Sequence, residues 1–360
     1  MAILVLHGLL ANREEESVVR DSEVLRLVGS QSSISKFLVR EETEFESAIL
    51  GHKNIHLEQG PLTVAALGWD PPERSAHFHL SLLSVEGQQI TEEVPPPTPE
   101  EALVLTEALR LLNARNLTVL VGDGLNHALV WEKRVDFLLR SPKEAVELGL
   151  KAALPEGDFE NDLRRLIDDS INILSELEFN IRRMDKGIRP INLAWPWGMG
   201  ERKPVPNLAL AIGYPWKIYS SSLKIRGYAR LSGLRTEKLP TFTDLTTSSM
   251  QWLVNSIKKE PHAMAIVDCR GLEGEEFLEE RAYRLSDLGK SLIMPLLDWN
   301  KDTKEDLTIV LTNAQGDGLI AVIQDKASGR DDFPFDERIL FERSVPQIEL
   351  SELLFNAASG

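Results

Sequence analysis

The sequence predicts an α/β protein with a doubly wound, mainly parallel sheet and an inserted α+β domain. Short apolar runs alternate with amphipathic helical patterns, which is typical of an open α/β sheet. The stretch 192–240 gives the clearest example. There the apolar segment Leu193–Trp195 is ended by Pro196 and Gly198, and a helical pattern follows over Leu223–Leu234. In such sheets the functional loops lie at the carboxyl ends of the strands.

The predicted core domain comprises residues 1–54 and 141–360. Its strands are indicated by short apolar runs and its helices by apolar residues at helical spacing. The predicted strands are Ile3–Leu6, Leu193–Trp195, Ala263–Val267, Leu307–Leu311, Ile320–Ile323 and Ile339–Phe341. The predicted helices are Asp162–Leu177, Leu223–Leu234, Ser248–Ile257, Glu275–Leu297 and Glu349–Phe355.

Residues 55–140 form the predicted inserted domain, which combines helices with alternating strands. Its predicted elements are a helix at Gly60–Leu67, a strand at Ala76–Val85, a stiff proline linker at Pro95–Pro99, a helix at Glu100–Asn113, and strands at Leu117–Val121 and His127–Trp131.

Composition limits the class of protein. The chain has 360 residues, 42% hydrophobic and 27% charged, which is ordinary for one large globular domain and a smaller one. The net charge of −16 argues against nucleic acid or an anionic membrane as the main partner. Cys269 is the single cysteine, so the chain has no cysteine metal cluster. The apolar run Ala2–Leu10 is too short to span a membrane, and we expect a soluble cytoplasmic protein.

Two histidine-containing motifs have a functional and a structural interpretation. His7-Gly8 at a strand end is similar to the oxyanion loop of α/β-hydrolases, but the Gly-x-Ser-x-Gly elbow of that fold does not occur in the sequence. His77 and His79 share one face of a predicted strand, yet two histidines without carboxylate or cysteine partners are too few for a metal site. We therefore expect an ordinary strand end at His7-Gly8, and strand histidines at 77 and 79 that are either exposed or satisfied by hydrogen bonds.

Other ligand-binding motifs are weaker. Asp298–Asp302 begins like a calcium loop, but Thr303 and Ile309 stand where that loop requires Gly and Glu. Neither glycine-rich nucleotide-binding loop occurs after a predicted strand.

Two segments carry a resemblance to a known family. The run WPWGMG at 195–200 and the run RGYARLSGL at 226–234 resemble motifs of the archaeal-type, cofactor-independent phosphoglycerate mutases. Other segments follow in the order of that family from about residue 55 to 340. The resemblance implies an alkaline-phosphatase-like core and a cap domain over the cleft, formed by the insert.

The same resemblance implies two divalent metal ions (Mn, Zn or Mg) and a serine nucleophile, with Asp and His ligands at the ends of core strands. Here those positions hold other residues, and no nucleophilic serine can be assigned between residues 10 and 55. The degenerate positions are His7, Gly271, Glu275, Asn313, Ala314 and Ser328. The sequence therefore predicts a divergent pseudoenzyme with no metal, no other cofactor and no catalytic residue.

A basic cluster on the helix 223–234 suggests an anion site in this acidic chain. Arg226 and Arg230 are four residues apart and share one helical face, with Lys224 beside them and Arg235 and Lys238 following. A guanidinium binds phosphate or carboxylate through two hydrogen bonds. Alternatively, the arginines anchor the helix to acidic loops.

Arg183 lies in a segment that matches an asparagine-x-x-arginine motif of the family, so it is the fourth predicted anion ligand. The favoured hypothesis is a non-catalytic relative that binds a small anion or a protein. The alternatives are an active metal-dependent mutase or phosphotransferase, and a structural subunit of an assembly. For the protein as a whole, the partners to test are a protein partner and further copies of the same chain.

Overall fold

The structure is a computed structural model that describes residues 1–9, 28, 33–37, 45–52, 55–70, 74–114, 116–241, 244–270, 278–312 and 318–323. It divides into two compact units. The first comprises Met1–Ile55 and Val205–Gly360, and the second His56–Pro204.

The described strands are numbered in chain order. They are β1 (Ala2–His7), β2 (Ser33–Phe37), β3 (Ala76–Glu86), β4 (Gln89–Thr91), β5 (Leu117–Asp123), β6 (Asn126–Trp131), β7 (Phe137–Leu138), β8 (Glu156–Gly157), β9 (Leu193–Gly200), β10 (Lys217–Ser220), β11 (Arg235–Lys238), β12 (Ala263–Asp268), β13 (Leu307–Thr312) and β14 (Gly318–Ile323).

The described helices are numbered in the same way. They are α1 (Phe45–Ala48), α2 (Gln59–Ala66), α3 (Pro99–Arg110), α4 (Pro142–Leu148), α5 (Leu150–Ala153), α6 (Glu160–Ser175), α7 (Glu178–Asp185), α8 (Leu208–Ile212), α9 (Leu223–Leu231), α10 (Thr247–Ile257), α11 (Leu278–Leu288) and α12 (Met294–Thr303), with a π-helical turn at Gly289–Ile293.

The first unit contains a seven-stranded sheet in the order β11-β10-β12-β1-β13-β14-β2. The five strands from β11 to β13 run parallel. Strand β14 pairs antiparallel with β13 and with β2, so in this sheet β14 alone runs in the opposite direction. Every residue of β1 is buried, as expected for a central strand covered on both faces. The predicted α/β class with a mainly parallel sheet is confirmed.

Helices α10 to α12 pack on one face of this sheet. Leu4 and Leu6 of β1 share a buried cluster with Leu253 of α10 and Leu296 of α12, and each buried leucine stabilises the fold by about 1.5–3 kcal/mol. The predicted helix 275–297 is in fact interrupted by the π-helical turn before Pro295. Proline lacks the amide N–H of a regular turn, so the helical hydrogen-bond pattern changes here.

The second unit has an antiparallel sheet in the order β4-β3-β6-β5, and β9 pairs with β3 along its other edge. Helix α3 begins at Pro99, one residue before the predicted Glu100, and Thr98 caps it: the Thr98 hydroxyl accepts from the Glu101 amide, and the Glu101 carboxylate accepts from the Thr98 amide. This reciprocal cap fixes the first turn of the helix.

The predicted domain boundary at residue 140 and the assignment of Leu193–Trp195 to the core sheet are wrong. Strand β9 pairs with β3 in the register Leu83↔Leu193, and α6 packs on β9. Residues 141–204 therefore belong to the second unit. The apolar pattern identified the strand, but its hydrogen-bonding partner lies far away in the sequence.

Two further predictions lie outside the described residues, namely the strand 339–341 and the helix 349–355. In the part of the chain that the structure describes, no helix has the length and apolar character needed to cross a membrane.

Candidate functional site

The carboxyl ends of β1, β12 and β13 meet at one edge of the first unit's sheet and bring His7, Asp268 and Thr312 together. His7 and Asp268 are register partners, and β13 flanks β1 on the other side. His7 Nδ1 lies 2.7 Å from Thr312 Oγ1, which also accepts a hydrogen bond of 3.1 Å from the Gly8 amide. Parallel strands position such groups automatically, since their carboxyl ends share an edge.

The His7 ring is held in an apolar setting. It is 2% exposed and stacks on Phe45 with 3.9 Å between ring centroids. Burial lowers the pKa of His7 to about 4, and the charge of Arg270 lowers it further, against a raising effect of Asp268. The imidazole is therefore neutral at pH 7. Its Nε2 atom is buried and has no hydrogen-bond partner among the described residues.

Asp268 is paired with an arginine two residues further on. Its Oδ1 accepts from Arg270 Nε at 2.8 Å and its Oδ2 from Arg270 Nη2 at 2.6 Å, while the Arg270 amide donates to Oδ1 at 3.2 Å. Burial alone would raise the pKa of Asp268, but the hydrogen bonds and charge of Arg270 outweigh it and hold that pKa below its usual range. The carboxylate is ionised, and both its oxygens are engaged.

Gly8 provides the space that Arg270 occupies. Its φ of +75° is in the left-handed region, and a Cβ added there would lie 2.3 Å from Arg270 Cγ. Glycine at position 8 therefore leaves room for the Arg270 side chain to cross the end of β1. The described residues provide no second α/β-hydrolase motif to accompany His7-Gly8.

The predicted anion ligands Lys224, Arg226 and Arg230 all lie on α9, which begins just beyond the carboxyl end of β10. Arg226 is buried in the first turns of the helix, whereas Arg230 is exposed and donates to Thr236 Oγ1 at 3.2 Å. Although Arg226 and Arg230 are four residues apart on one helix, one side chain is buried and the other is exposed.

Arg235 lies away from this group. It begins β11, at the opposite, amino edge of the sheet, and its Nη2 forms a 2.6 Å ion pair with Glu260. Lys238 ends the same strand and so lies at the carboxyl edge.

Arg183 lies in the second unit and has a structural set of partners. It is 5% exposed and donates to both carboxylate oxygens of Glu101, at 3.1 and 2.6 Å. It also donates to the carbonyls of Pro95 and Pro96 at 2.9 and 3.0 Å. Its guanidinium thus fastens α7 to the proline linker and to the start of α3, and this arrangement favours a structural role over anion binding.

The strand histidines of the second unit are buried rather than exposed. His79 Nδ1 lies 2.8 Å from Thr63 Oγ1, and His79 Nε2 lies 3.1 Å from Asn126 Oδ1. His77 Nε2 lies 2.9 Å from Ser75 Oγ. Both ring nitrogens of His79 thus have neutral partners, which fits a structural histidine, whereas His77 Nδ1 has no hydrogen-bond partner among the described residues.

Known proteins with similar sequences and similar structures are consistent with the parallel sheet described above. No family profile matches the chain. A 2,3-bisphosphoglycerate-independent phosphoglycerate mutase of Methanosarcina barkeri is 21% identical over 320 residues, covering 82% of this chain and 80% of the relative. A second such mutase, from Methanothermobacter thermautotrophicus, is 24% identical over 210 residues, covering 54% of this chain and 50% of the relative.

The chain is similar in sequence, at low identity, to the archaeal cofactor-independent phosphoglycerate mutases. The predicted resemblance is thereby confirmed, although in two of the matched relatives the chain spans about half of the relative's length.

Two solved structures share the fold. A cofactor-independent phosphoglycerate mutase from Thermoplasma acidophilum has a TM-score of 0.61 at 14% identity, covering 100% of this chain and 99% of that one. A protein from Pyrococcus horikoshii has a TM-score of 0.69 at 10% identity, covering 99% and 97%. The fold is the predicted alkaline-phosphatase-like α/β architecture.

Of the six degenerate metal positions, the structure describes His7 and places it at the expected strand end. Gly271, Glu275, Asn313, Ala314 and Ser328 lie outside the described residues. Sequence reasoning missed Asp268, Arg270 and Thr312. Asp268 and Thr312 each follow a predicted strand directly, so a search for polar residues at strand ends would have found them.

The described residues of this edge do not fit the pair of divalent metal ions that the mutase family implies. At the ends of β1, β12 and β13 they comprise one imidazole and one carboxylate, and both carboxylate oxygens accept hydrogen bonds from Arg270. Among the described residues, no group of three or more His, Cys, Asp and Glu side chains could hold a metal. A two-metal site requires several such ligands.

Proposed function

We propose that this protein is a non-catalytic relative of cofactor-independent phosphoglycerate mutase that binds a small phosphate- or carboxylate-bearing anion. The observation that carries the proposal is the Asp268–Arg270 pair at the carboxyl end of β12. We also propose a cytoplasmic location, which the acidic composition and the single cysteine support.

The described groups at this edge are unsuited to metal-assisted phosphoryl transfer. Divalent ions polarise phosphoryl oxygens and lower the pKa of a coordinated nucleophile. The guanidinium of Arg270 donates hydrogen bonds but has no coordination site for a serine oxygen. His7 is neutral, and its Nδ1 is already in contact with Thr312. These groups can hold a charge in place, but they cannot activate a nucleophile by coordination.

The anion is proposed to bind at the start of α9, next to the same edge. Lys224 is half-buried and Arg226 buried, both in the first turns of the helix, where the backbone dipole favours negative charge. Ser222 caps the helix by accepting from the Ile225 amide. Arg230 at the exposed end of the helix and Arg183 in the second unit are left out of this narrower proposal.

Calorimetric titration with 3-phosphoglycerate and with inorganic phosphate tests the anion site. We expect binding to the wild type and a loss of at least about 10-fold in affinity in Arg226→Gln, as for a lost charged hydrogen bond. Arg230→Gln is the matched control on the same helix and should bind as the wild type does. No binding to the wild type, or equal effects of the two substitutions, would reject the anion site.

Elemental analysis and a mutase assay with added Mn²⁺ test the non-catalytic role. We expect no stoichiometric Mn, Zn or Mg in the purified protein and no interconversion of phosphoglycerates. About two tightly held ions per chain, or metal-dependent turnover, would favour the active-enzyme alternative. Native mass measurement would identify a protein partner or a homo-oligomer.

A further inference from the structure

The Arg270 side chain is built into the end of β1. Its stem passes over Gly8, where any side chain would collide with it, and its guanidinium meets Asp268 through two hydrogen bonds. The carboxylate is about a quarter exposed and the guanidinium about two-fifths exposed, at 26% and 41%. The pair therefore stands at the solvent border of the carboxyl edge.

The carboxyl edge needs a positive charge at this point. The Asp268 side chain is largely buried, and burial of a negative charge is costly unless it is paired; two hydrogen bonds from the Arg270 guanidinium provide that pairing. In a metal-dependent site the ion itself supplies such compensation, since a bound cation is the largest local charge. Here the compensating charge comes from the chain, two residues after the carboxylate.

We propose that Arg270 is an internal substitute for a divalent metal ion at this edge, and that its removal lets Asp268 take up such an ion. The inference rests on the proposed function, because it explains how the fold retains a strand-end carboxylate without a metal. In the wild type a divalent ion would have to displace Arg270 from both oxygens of Asp268.

Removing Arg270 would leave the elements of a cation site. Both oxygens of Asp268 would lose their guanidinium donors. The register neighbour His7 has a buried nitrogen, Nε2, without a hydrogen-bond partner among the described residues. Carboxylate and neutral imidazole are ligands that Mn²⁺ and Zn²⁺ accept. The released site would therefore favour these ions over an anion.

The experiment measures the midpoint of thermal unfolding with and without millimolar MnCl₂. Arg270→Gln keeps most of the side-chain volume but removes the charge, so we expect a lowered midpoint that Mn²⁺ raises by about 5 °C. The wild type should not respond. Electron paramagnetic resonance of Mn²⁺ counts the ions bound by each variant independently of stability.

Arg235→Gln is the matched control. Arg235 also pairs with a carboxylate, that of Glu260, but at the amino edge of the same sheet. We expect Arg235→Gln to lose stability without any response to Mn²⁺. The double variant Arg270→Gln/Asp268→Asn should lose the Mn²⁺ response, because the ligand is then absent.

Failure to bind Mn²⁺ in Arg270→Gln, or an equal response in Arg235→Gln, would overturn the inference. If Arg270→Gln does not fold without metal, folding in the presence of Mn²⁺ is the expected rescue, and failure of that rescue counts against the proposal. Two ions or mutase activity in the wild type would instead refute the proposed function. Metal-free wild type with an unresponsive Arg270→Gln refutes only the role of Arg270.

Discussion

His7 in the first unit and His79 in the second are buried to the same degree but have different partners. Both are 2% exposed, both have a pKa lowered to about 4, and both contact a threonine hydroxyl. His79 has polar partners at both ring nitrogens and meets Trp197 edge-on. His7 has a partner at one nitrogen only among the described residues and lies beside the Asp268–Arg270 pair.

Burial lowers the pKa of both histidines, so the lowered pKa does not distinguish a structural histidine from a functional one. The hydrogen-bond partners of the ring nitrogens and the neighbouring charged groups differ between the two. A histidine satisfied by neutral groups belongs to the packing of its unit. His7 combines an open nitrogen with a neighbouring carboxylate–arginine pair, and this is the edge to which the proposed function refers. The following predictions test this difference, from the largest expected effect to the smallest.

The second unit should be the more acid-sensitive of the two. It contains three buried histidines with a pKa lowered to about 4 chiefly by burial, namely His77, His79 and His127. Among the described residues of the first unit, His7 alone has a pKa lowered to about 4, while burial lowers the pKa of His52 and His262 by less. A lowered folded pKa gives stability that is fully present above pH 6.5 and is lost as the pH falls towards 4. At pH 5 each histidine costs about 2 kcal/mol relative to pH 8.

Hydrogen exchange, corrected for the intrinsic rate, measures this at pH 8 and pH 5. We expect the amides of β3 and β6 to lose more protection than those of β1 and β12. His79→Gln/His127→Gln should flatten the pH dependence, and His56→Gln, at an exposed position, should leave it unchanged. Equal losses in the two units would contradict the comparison.

We expect Arg183, like His79, to stabilise the second unit rather than to bind a ligand. Arg183→Ala removes four strong hydrogen bonds and leaves the Glu101 carboxylate without its buried partner. We expect the second unit to lose about 3 kcal/mol of unfolding free energy, measured by urea denaturation.

The neighbouring Arg182→Ala is the control, since Arg182 is exposed and forms only a 3.8 Å ion pair with Glu178. It should cost less than about 0.5 kcal/mol. If Arg183→Ala instead weakened phosphate binding without loss of stability, Arg183 would again be assigned as an anion ligand.

Replacement of each histidine by leucine compares the two partner sets directly. His79→Leu removes two hydrogen bonds, one with the buried Thr63 hydroxyl and one with the exposed Asn126 side chain, which costs about 2 kcal/mol. His7→Leu loses one hydrogen bond to Thr312 but removes an unpartnered nitrogen, so we expect a cost of less than about 1 kcal/mol. Urea denaturation of both variants checks the order, and a larger loss for His7→Leu would reverse the interpretation.

Some of the candidate site was readable from the sequence, and some was not. The apolar run 3–6 followed by His7 placed that histidine at a strand end, because buried parallel strands have a simple signature. Its partner Thr312 is 305 positions away, and no local pattern links the two. The basic cluster on α9 was also visible, but spacing alone could not show that Arg226 is buried and Arg230 exposed.

The sequence by itself determined the periodic elements, the capped helix at Thr98 and the mainly parallel class of the core sheet, because these depend on neighbouring residues. Only the tertiary structure decided that β9 joins β3 in the second unit. It also decided that Arg183 meets Glu101 and that Arg270 fills the space above Gly8. Strand pairing and buried ion pairs join residues that are distant in the chain, and the choice among such partners is made by packing and by the cost of burying an uncompensated charge.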